Sequence, residues 1–153
     1  MKILVVCLGN ICRSPIAEGM LTAVLPEDFI VESAGTISMH EGEGPDKRMT
    51  QTAKSHGIDI SAQRSRPITK EDFSTFDRIL CMDLSVYQDV ISMASSEDER
   101  NKVALFLEEA NLPINNYEVF DPYWSEMDGF EKVFQLVKEA AENLKAKYTK
   151  SIS

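Results

Sequence analysis

The sequence predicts an α/β fold, a single three-layer domain over residues 1–153 with a central four-stranded parallel sheet flanked by helices. Short apolar, β-branched runs alternate with stretches of helical periodicity, the order that builds a parallel sheet through helical crossovers. Two of the four strand candidates are apolar throughout and the other two carry a single charged residue at one end, as strands covered on both faces do. No repeat, low-complexity run or linker interrupts the 153 residues, a length that suits one domain with a proper core.

Ile3–Val6 is the first strand, ending at a Gly-Asn turn. Ser14 is a candidate N-cap and Pro15 suits a first helical turn; Ile16, Ala17, Met20, Leu21 and Val24 then recur at helical spacing until Pro26. Phe29–Glu32 is the second strand, with Ser33-Ala34-Gly35-Thr36 as a turn and the Gly-rich residues 37–45 as a surface loop. Asp46 to His56 reads as a helix stopped by Gly57, with His56 compensating the helix dipole. A helix start is expected at Thr69–Asp72, a strand at Arg78–Met82, a helix at Leu84–Ala94 and a fourth strand at Val103–Leu107. The last helix has an apolar stripe of Phe130, Val133, Phe134, Val137, Ala140, Ala141, Leu144 and Tyr148, with Asp128 as its capping acid. Residues 149–153 are expected to fray.

Charge and cysteine content narrow the function. Sixteen Lys+Arg against 25 Asp+Glu give a net charge of −9, which argues against nucleic acid or an anionic membrane as partner. The 43% hydrophobic and 27% charged composition excludes a disordered or collagen-like chain. Three cysteines do not make a secreted disulfide framework, and the N-terminal apolar run is too short for a signal segment or a membrane span. A cytoplasmic location is therefore expected, and separately a monomer.

In open parallel sheets ligands bind beyond the carboxyl ends of the strands. The segment Cys7-Leu8-Gly9-Asn10-Ile11-Cys12-Arg13-Ser14 lies there, between a strand and a helix start. Its backbone N–H groups have no ladder to join and can converge on an anion above the helix N-terminus. Gly9 and Asn10 are the residue types best able to take the left-handed conformations such a nest needs, and Arg13 adds a planar fork for two phosphate oxygens. The same positive cup favours the thiolate form of a cysteine at its base, which makes Cys7 a nucleophile aimed at phosphorus. The Ser14 hydroxyl can donate to that sulfur.

The string CLGNICRSP resembles the Cys-x5-Arg-Ser loop of the low-molecular-weight protein tyrosine phosphatases. The resemblance runs along nearly the whole chain, through Ser33-Ala34-Gly35-Thr36, Asp46, Arg48, Gly57-Ile58, Arg66, Asp72-Phe73, Phe76-Asp77, Met82-Asp83 and Asp121-Pro122-Tyr123. It implies phosphotyrosine hydrolysis on protein through a phosphocysteine on Cys7, with inorganic phosphate as product. Arg13 and the loop amides would bind the phosphoryl oxygens, and Asp121 would act as general acid and then base. Asn10 would brace the loop through Ser33 and Ser14. Met39, His40, Tyr123 and Trp124 would form the substrate cleft, and Cys12 would protect Cys7 as a reversible disulfide partner. The sequence departs from the family's usual residues at Val86 and in having no histidine across residues 61–66. No cofactor or metal is implied, since no CxxC or histidine cluster supplies ligands.

Bland alternatives stand beside several of these residues. Cys12 also reads as a packed thiol, Cys81 as core, His40 as loop, and Asp77 and Asp83 as caps or structural pairs. Two related activities share the loop. A protein-arginine phosphatase usually carries a smaller Thr where this chain has Ile11, whose bulk suits a phenyl ring; an arsenate reductase relays electrons through a further cysteine pair, where this chain has Cys81 alone.

Overall fold

The computed structural model describes residues 1–150 and has a four-stranded parallel sheet with helices on both faces. The elements are β1 Lys2–Cys7, α1 Arg13–Val24, β2 Ile30–Gly35, α2 Lys47–Ser55, α3 Asp72–Thr75, β3 Arg78–Cys81, α4 Leu84–Met93, α5 Glu97–Asn101, β4 Val103–Leu105, α6 Phe106–Glu109 and α7 Met127–Thr149. Strand order is β2-β1-β3-β4. The chain leaves β1 in one direction to reach β2 and lies on the other side of β1 at β3, so a crevice opens at the carboxyl ends of β1 and β3.

The pleat of β1 divides the core. Ile3, Val5 and Cys7 join α1, α7 and Leu80 and Met82 on one face, while Leu4 and Val6 join Phe73, Phe76, Ile79, Val86 and Val90 on the other. This two-sided burial is why β1 is apolar from Ile3 to Cys7. The α7 stripe is fully buried from Phe130 to Leu144, and each such aromatic or leucine is worth about 1.5–3 kcal/mol on burial. His56 ends α2, stacks on Phe134 with centroids 4.2 Å apart, and places Nε2 2.9 Å from Glu131, tying α2 to α7. No helix among the described residues is long and apolar enough to cross a membrane.

Several local expectations are corrected. Ser14 does not cap α1: the helix begins at Arg13 with Cys12 in the cap position, and no side chain satisfies its first amides. Ser33–Gly35 is strand rather than turn, because β2 pairs with β1 in register from Lys2↔Ile30 to Cys7↔Gly35 and so runs as long as its partner. β4 is shorter than expected for the same reason: β3 offers partners only to Cys81↔Leu105, and Phe106 starts α6. Asp128 is inside α7, whose cap is Glu126 without a side-chain bond. Fraying was expected from residue 149, yet Thr149 is still within α7; residues 151–153 lie outside the described residues.

Candidate active site

Cys7 is the last residue of β1 and is buried. The chain then turns so that its carbonyls are engaged outward. Cys7 O accepts the Thr36 amide at 3.0 Å, Leu8 O the Ile37 amide at 3.1 Å, and Ile11 O the Asp46 amide at 2.6 Å; Ser65 Oγ donates to Gly9 O at 3.0 Å. The amides of Leu8, Gly9, Ile11, Cys12 and Arg13 have no hydrogen-bond partner among the described residues, so they are free to receive an anion. Unsatisfied first-turn amides are the positive end of the α1 dipole.

Asn10 is the loop's brace. At φ +56° it takes the left-handed conformation expected of it, and its amide group is saturated. Nδ2 donates to Ser14 Oγ at 2.8 Å and Ser33 Oγ at 3.0 Å, and Oδ1 accepts the Arg66 amide at 3.0 Å. Gly9, expected to share the left-handed role, is not in that region; a Cβ there would stand 3.1 Å from the His40 ring, so close approach is what its missing side chain permits. Gly35 is needed likewise, since a Cβ would meet Leu8 O at 2.8 Å.

Two donors converge on the Cys7 sulfur: the Asn10 amide at 3.2 Å and Ser14 Oγ at 3.0 Å. Because Asn10 already donates to Ser14 Oγ, the serine proton is free to point at sulfur. Ser33 passes its own proton outward to Glu18 Oε1 at 2.7 Å; burial pushes that carboxyl up, the Ser33 bond offsetting part of the rise. Cys12 is also buried, and burial together with Cys7 and Asp46 raises its thiol far above the ordinary range. It is therefore a neutral thiol at the cleft wall.

Arg13 is 4% exposed, and its Nη1 donates to Asp83 Oδ2 at 2.6 Å and to the Val119 carbonyl at 3.0 Å. Burial alone would lower its pKa, but Cys7 and Asp83 outweigh it and the guanidinium is raised. Asp83 does both jobs the sequence left open to it, since Oδ1 caps α4 through the Val86 amide at 2.8 Å. Asp121 arrives from a distant loop with Oδ1 accepting the Tyr123 amide at 3.0 Å, which leaves Oδ2 3.8 Å from Arg13 Nη2.

The cleft over these groups measures about 350 Å³ and is walled by Ile11, Ile37, Met39, His40, Tyr123 and Trp124. All four expected cleft residues are present; Trp124 is 91% exposed and meets Tyr123 edge to face at 4.9 Å. Sequence reading missed Ile37, the support from Ser65 and Arg66, and Glu18. Of these only Arg66 carried an advance signal, as one of the residues through which the family resemblance runs.

A buried thiol lies under a ring of free amides, with a fixed arginine beside it and a carboxylate at the mouth, the arrangement of an anion site on an α/β fold. The chain belongs to the low molecular weight phosphotyrosine protein phosphatases, whose family model matches residues 2–153. The human low molecular weight phosphotyrosine protein phosphatase is 41% identical over 139 residues, 88% of this chain and 87% of that one. A protein tyrosine phosphatase of Entamoeba histolytica superposes with a TM-score of 0.91 at 38% identity, covering 100% of this chain and 99% of that one. A Drosophila arginine phosphatase superposes with a TM-score of 0.89 at 32% identity, over 97% and 98% of the two chains. The protein is thus a hydrolase of the protein-tyrosine-phosphatase class.

Proposed function

We propose that the protein hydrolyses phosphotyrosine on protein, and small aryl phosphates, through a phosphocysteine on Cys7. The observation that carries this reading is the convergence of the Asn10 amide and the Ser14 hydroxyl on the Cys7 sulfur, beneath amides with no other partner. The thiolate attacks phosphorus, the S–P bond forms as the P–O bond to the phenol breaks, and Asp121 gives its proton to the leaving oxygen. Water then attacks phosphorus with Asp121 taking its proton, and the thiolate leaves with phosphate as product. Ser14 stabilises the sulfur's charge at both ends of the cycle. Arg13 and the loop amides hold the non-bridging oxygens, contacts that strengthen as charge shifts in the transition state. Asn10 and Ser33 keep the loop in shape before substrate arrives.

Met39, His40, Tyr123 and Trp124 wall the cleft against the phenyl ring, and Ile11 adds an apolar surface beside it. That bulk favours a flat ring over a guanidinium, which sets phosphotyrosine ahead of phosphoarginine despite the likeness to an arginine phosphatase. Arsenate reduction is disfavoured because Cys81 is buried within β3, and the only other cysteines, Cys7 and Cys12, stand in the loop itself. Cys12 serves as guard: if Cys7 is oxidised to a sulfenic acid, the Cys12 thiol condenses with it to a disulfide and releases water.

The test is a product assay on the wild type and Cys7→Ser with phenyl phosphate, phosphoarginine and arsenate. Phosphate release from the aryl ester, abolished in the serine variant, is expected. Turnover without Cys7 would refute the mechanism, and preference for phosphoarginine would reassign the substrate.

A further inference from the structure

Beside the cleft runs a second groove, of about 500 Å³, that the reaction does not use. One wall is the outward face of α2, where Lys47, Thr50, Gln51 and Lys54 stand at helical positions i, i+3, i+4 and i+7; Gly44 and Arg64 contribute further lining. The two depressions are continuous, because Gly44, Pro45 and Lys47 also line a passage that shares Ile11, His40 and Tyr123 with the cleft. The 2.6 Å bond from the Asp46 amide to Ile11 O fastens the start of α2 to the Cys7 loop.

The groove's charge sets it apart. In a chain of net charge −9 it gathers Lys47, Lys54 and Arg64, all exposed. None of the three forms an ion pair among the described residues. Among nearby acids, Asp46 is paired with Arg48 at 2.9 Å and Glu43 stands 3.1 Å from His40; Asp59, held by the Ser61 amide and hydroxyl at 2.9 and 2.6 Å, attracts Lys54 without forming an ion pair with it. Arg64 Nη1 is held by the Ser61 and Gln63 carbonyls at 2.9 and 2.6 Å, which orient the guanidinium without neutralising it. Lys47 sits in the first turn of α2, where the helix dipole disfavours a cation until an anion joins it.

We infer that this groove docks the acidic flank of a phosphotyrosyl peptide whose phosphate lies in the Cys7 cup. The inference rests on the phosphotyrosine reading and specifies which substrates it favours. Lys47 and Lys54 are seven residues apart, about 10 Å along the helix. An extended peptide advancing about 3.3 Å per residue meets both with acids three positions apart. A net charge of −9 disfavours acidic chains over the surface on average, so a basic groove also selects the direction in which such a peptide lies.

The experiment uses three synthetic phosphotyrosyl peptides of neutral background, with Glu-x-x-Glu before the phosphotyrosine, after it, or absent, and phenyl phosphate as a fourth substrate. At low ionic strength one acidic peptide should exceed the neutral one about 5-fold in kcat/KM, expressed in KM, since exposed pairs contribute a factor of about 1.5–5 each. The preference should vanish at about 0.5 M salt, where charges are screened within a few ångströms. Combining Lys47→Gln, Lys54→Gln and Arg64→Gln should remove it, while turnover of phenyl phosphate, which fills the cup alone, persists and reports that the variant is folded. Equal rates on all three peptides, or a preference that survives the triple variant, would overturn the docking site with phosphotyrosine hydrolysis intact. Failure to turn over any tyrosine phosphate would instead remove the reading on which the docking site rests.

Discussion

Replacing Asp83 tests whether the active site is held in shape before substrate binds. Asp83→Ala removes the α4 cap, worth about 1 kcal/mol. It also deprives a 4% exposed guanidinium of its nearest counter-charge. Breaking a buried pair costs about 3–5 kcal/mol, and the lower end applies because Arg13 keeps the Val119 carbonyl at 3.0 Å and Asp121 at 3.8 Å. The sum is about 4 kcal/mol, which for a chain of this size lowers Tm by roughly 10 °C. Asp83→Asn offers one acceptor to two donors. Its carbonyl should serve Arg13 and leave the cap to water, at a cost of about 2 kcal/mol from the lost cap and the weaker neutral bond. Activity on phenyl phosphate should fall about 100-fold in the alanine variant, the scale expected when a positioned group moves by about 1 Å. Thermal unfolding followed by circular dichroism, with steady-state kinetics at saturating substrate, measures both effects. An alanine variant that melts with the wild type, or one indistinguishable from asparagine in both assays, would refute the reasoning.

Further outcomes follow from the same geometry. Asp121→Ala should lower kcat by about 10²–10⁴ on phenyl phosphate and far less on activated aryl esters, as general acid catalysis requires; an equal loss across leaving groups would exclude Asp121 as the acid. Asn10→Gly and Asn10→Ala both forfeit the bonds to Ser14, Ser33 and Arg66 and should both slow turnover, but alanine should be less stable by about 1 kcal/mol because only glycine takes φ +56° without strain. Glu109 carries an acid-dependent share of stability. Burial would raise its carboxyl, but bonds from Arg78 at 2.9 Å and Tyr148 at 2.7 Å outweigh it and lower the pKa. A folded-state value below the unfolded one gives stability that is complete above the ordinary carboxylate range and is lost as pH falls through the depressed value. Urea midpoints of wild type and Glu109→Gln should therefore differ at neutral pH and converge in acid; a gap that persists unchanged to pH 2 would contradict this.

Much of the fold was legible in the sequence because its causes are local. A strand buried on both faces must be apolar at every position, and α7 must show its stripe because one face meets the core. The loop was legible for the same reason: eight consecutive residues make the cup, so Cys7, Asn10, Arg13 and Ser14 could be named from their spacing and residue type. Where partners are distant, local reading went astray. β2 runs to Gly35 and β4 stops at Leu105 because of the strands beside them, not because of their own residues. Ser14 looks like a cap in one dimension, yet α1 begins at Arg13 and only the other expectation for Ser14, its bond to the Cys7 sulfur, is met.

The sequence by itself determined the parallel α/β class and an anion cup with a cysteine at its base. Tertiary structure alone decided that Asp83, 70 positions from Arg13, orients the guanidinium, and that Arg66, 56 positions from Asn10, closes the brace. It also gathered Lys47, Lys54 and Arg64 into one groove on a surface whose overall charge is negative. Backbone conformation and helical or strand periodicity are set by neighbours a few residues away. Ion pairing and surface potential depend on distance through space, and folding sets that distance independently of separation along the chain.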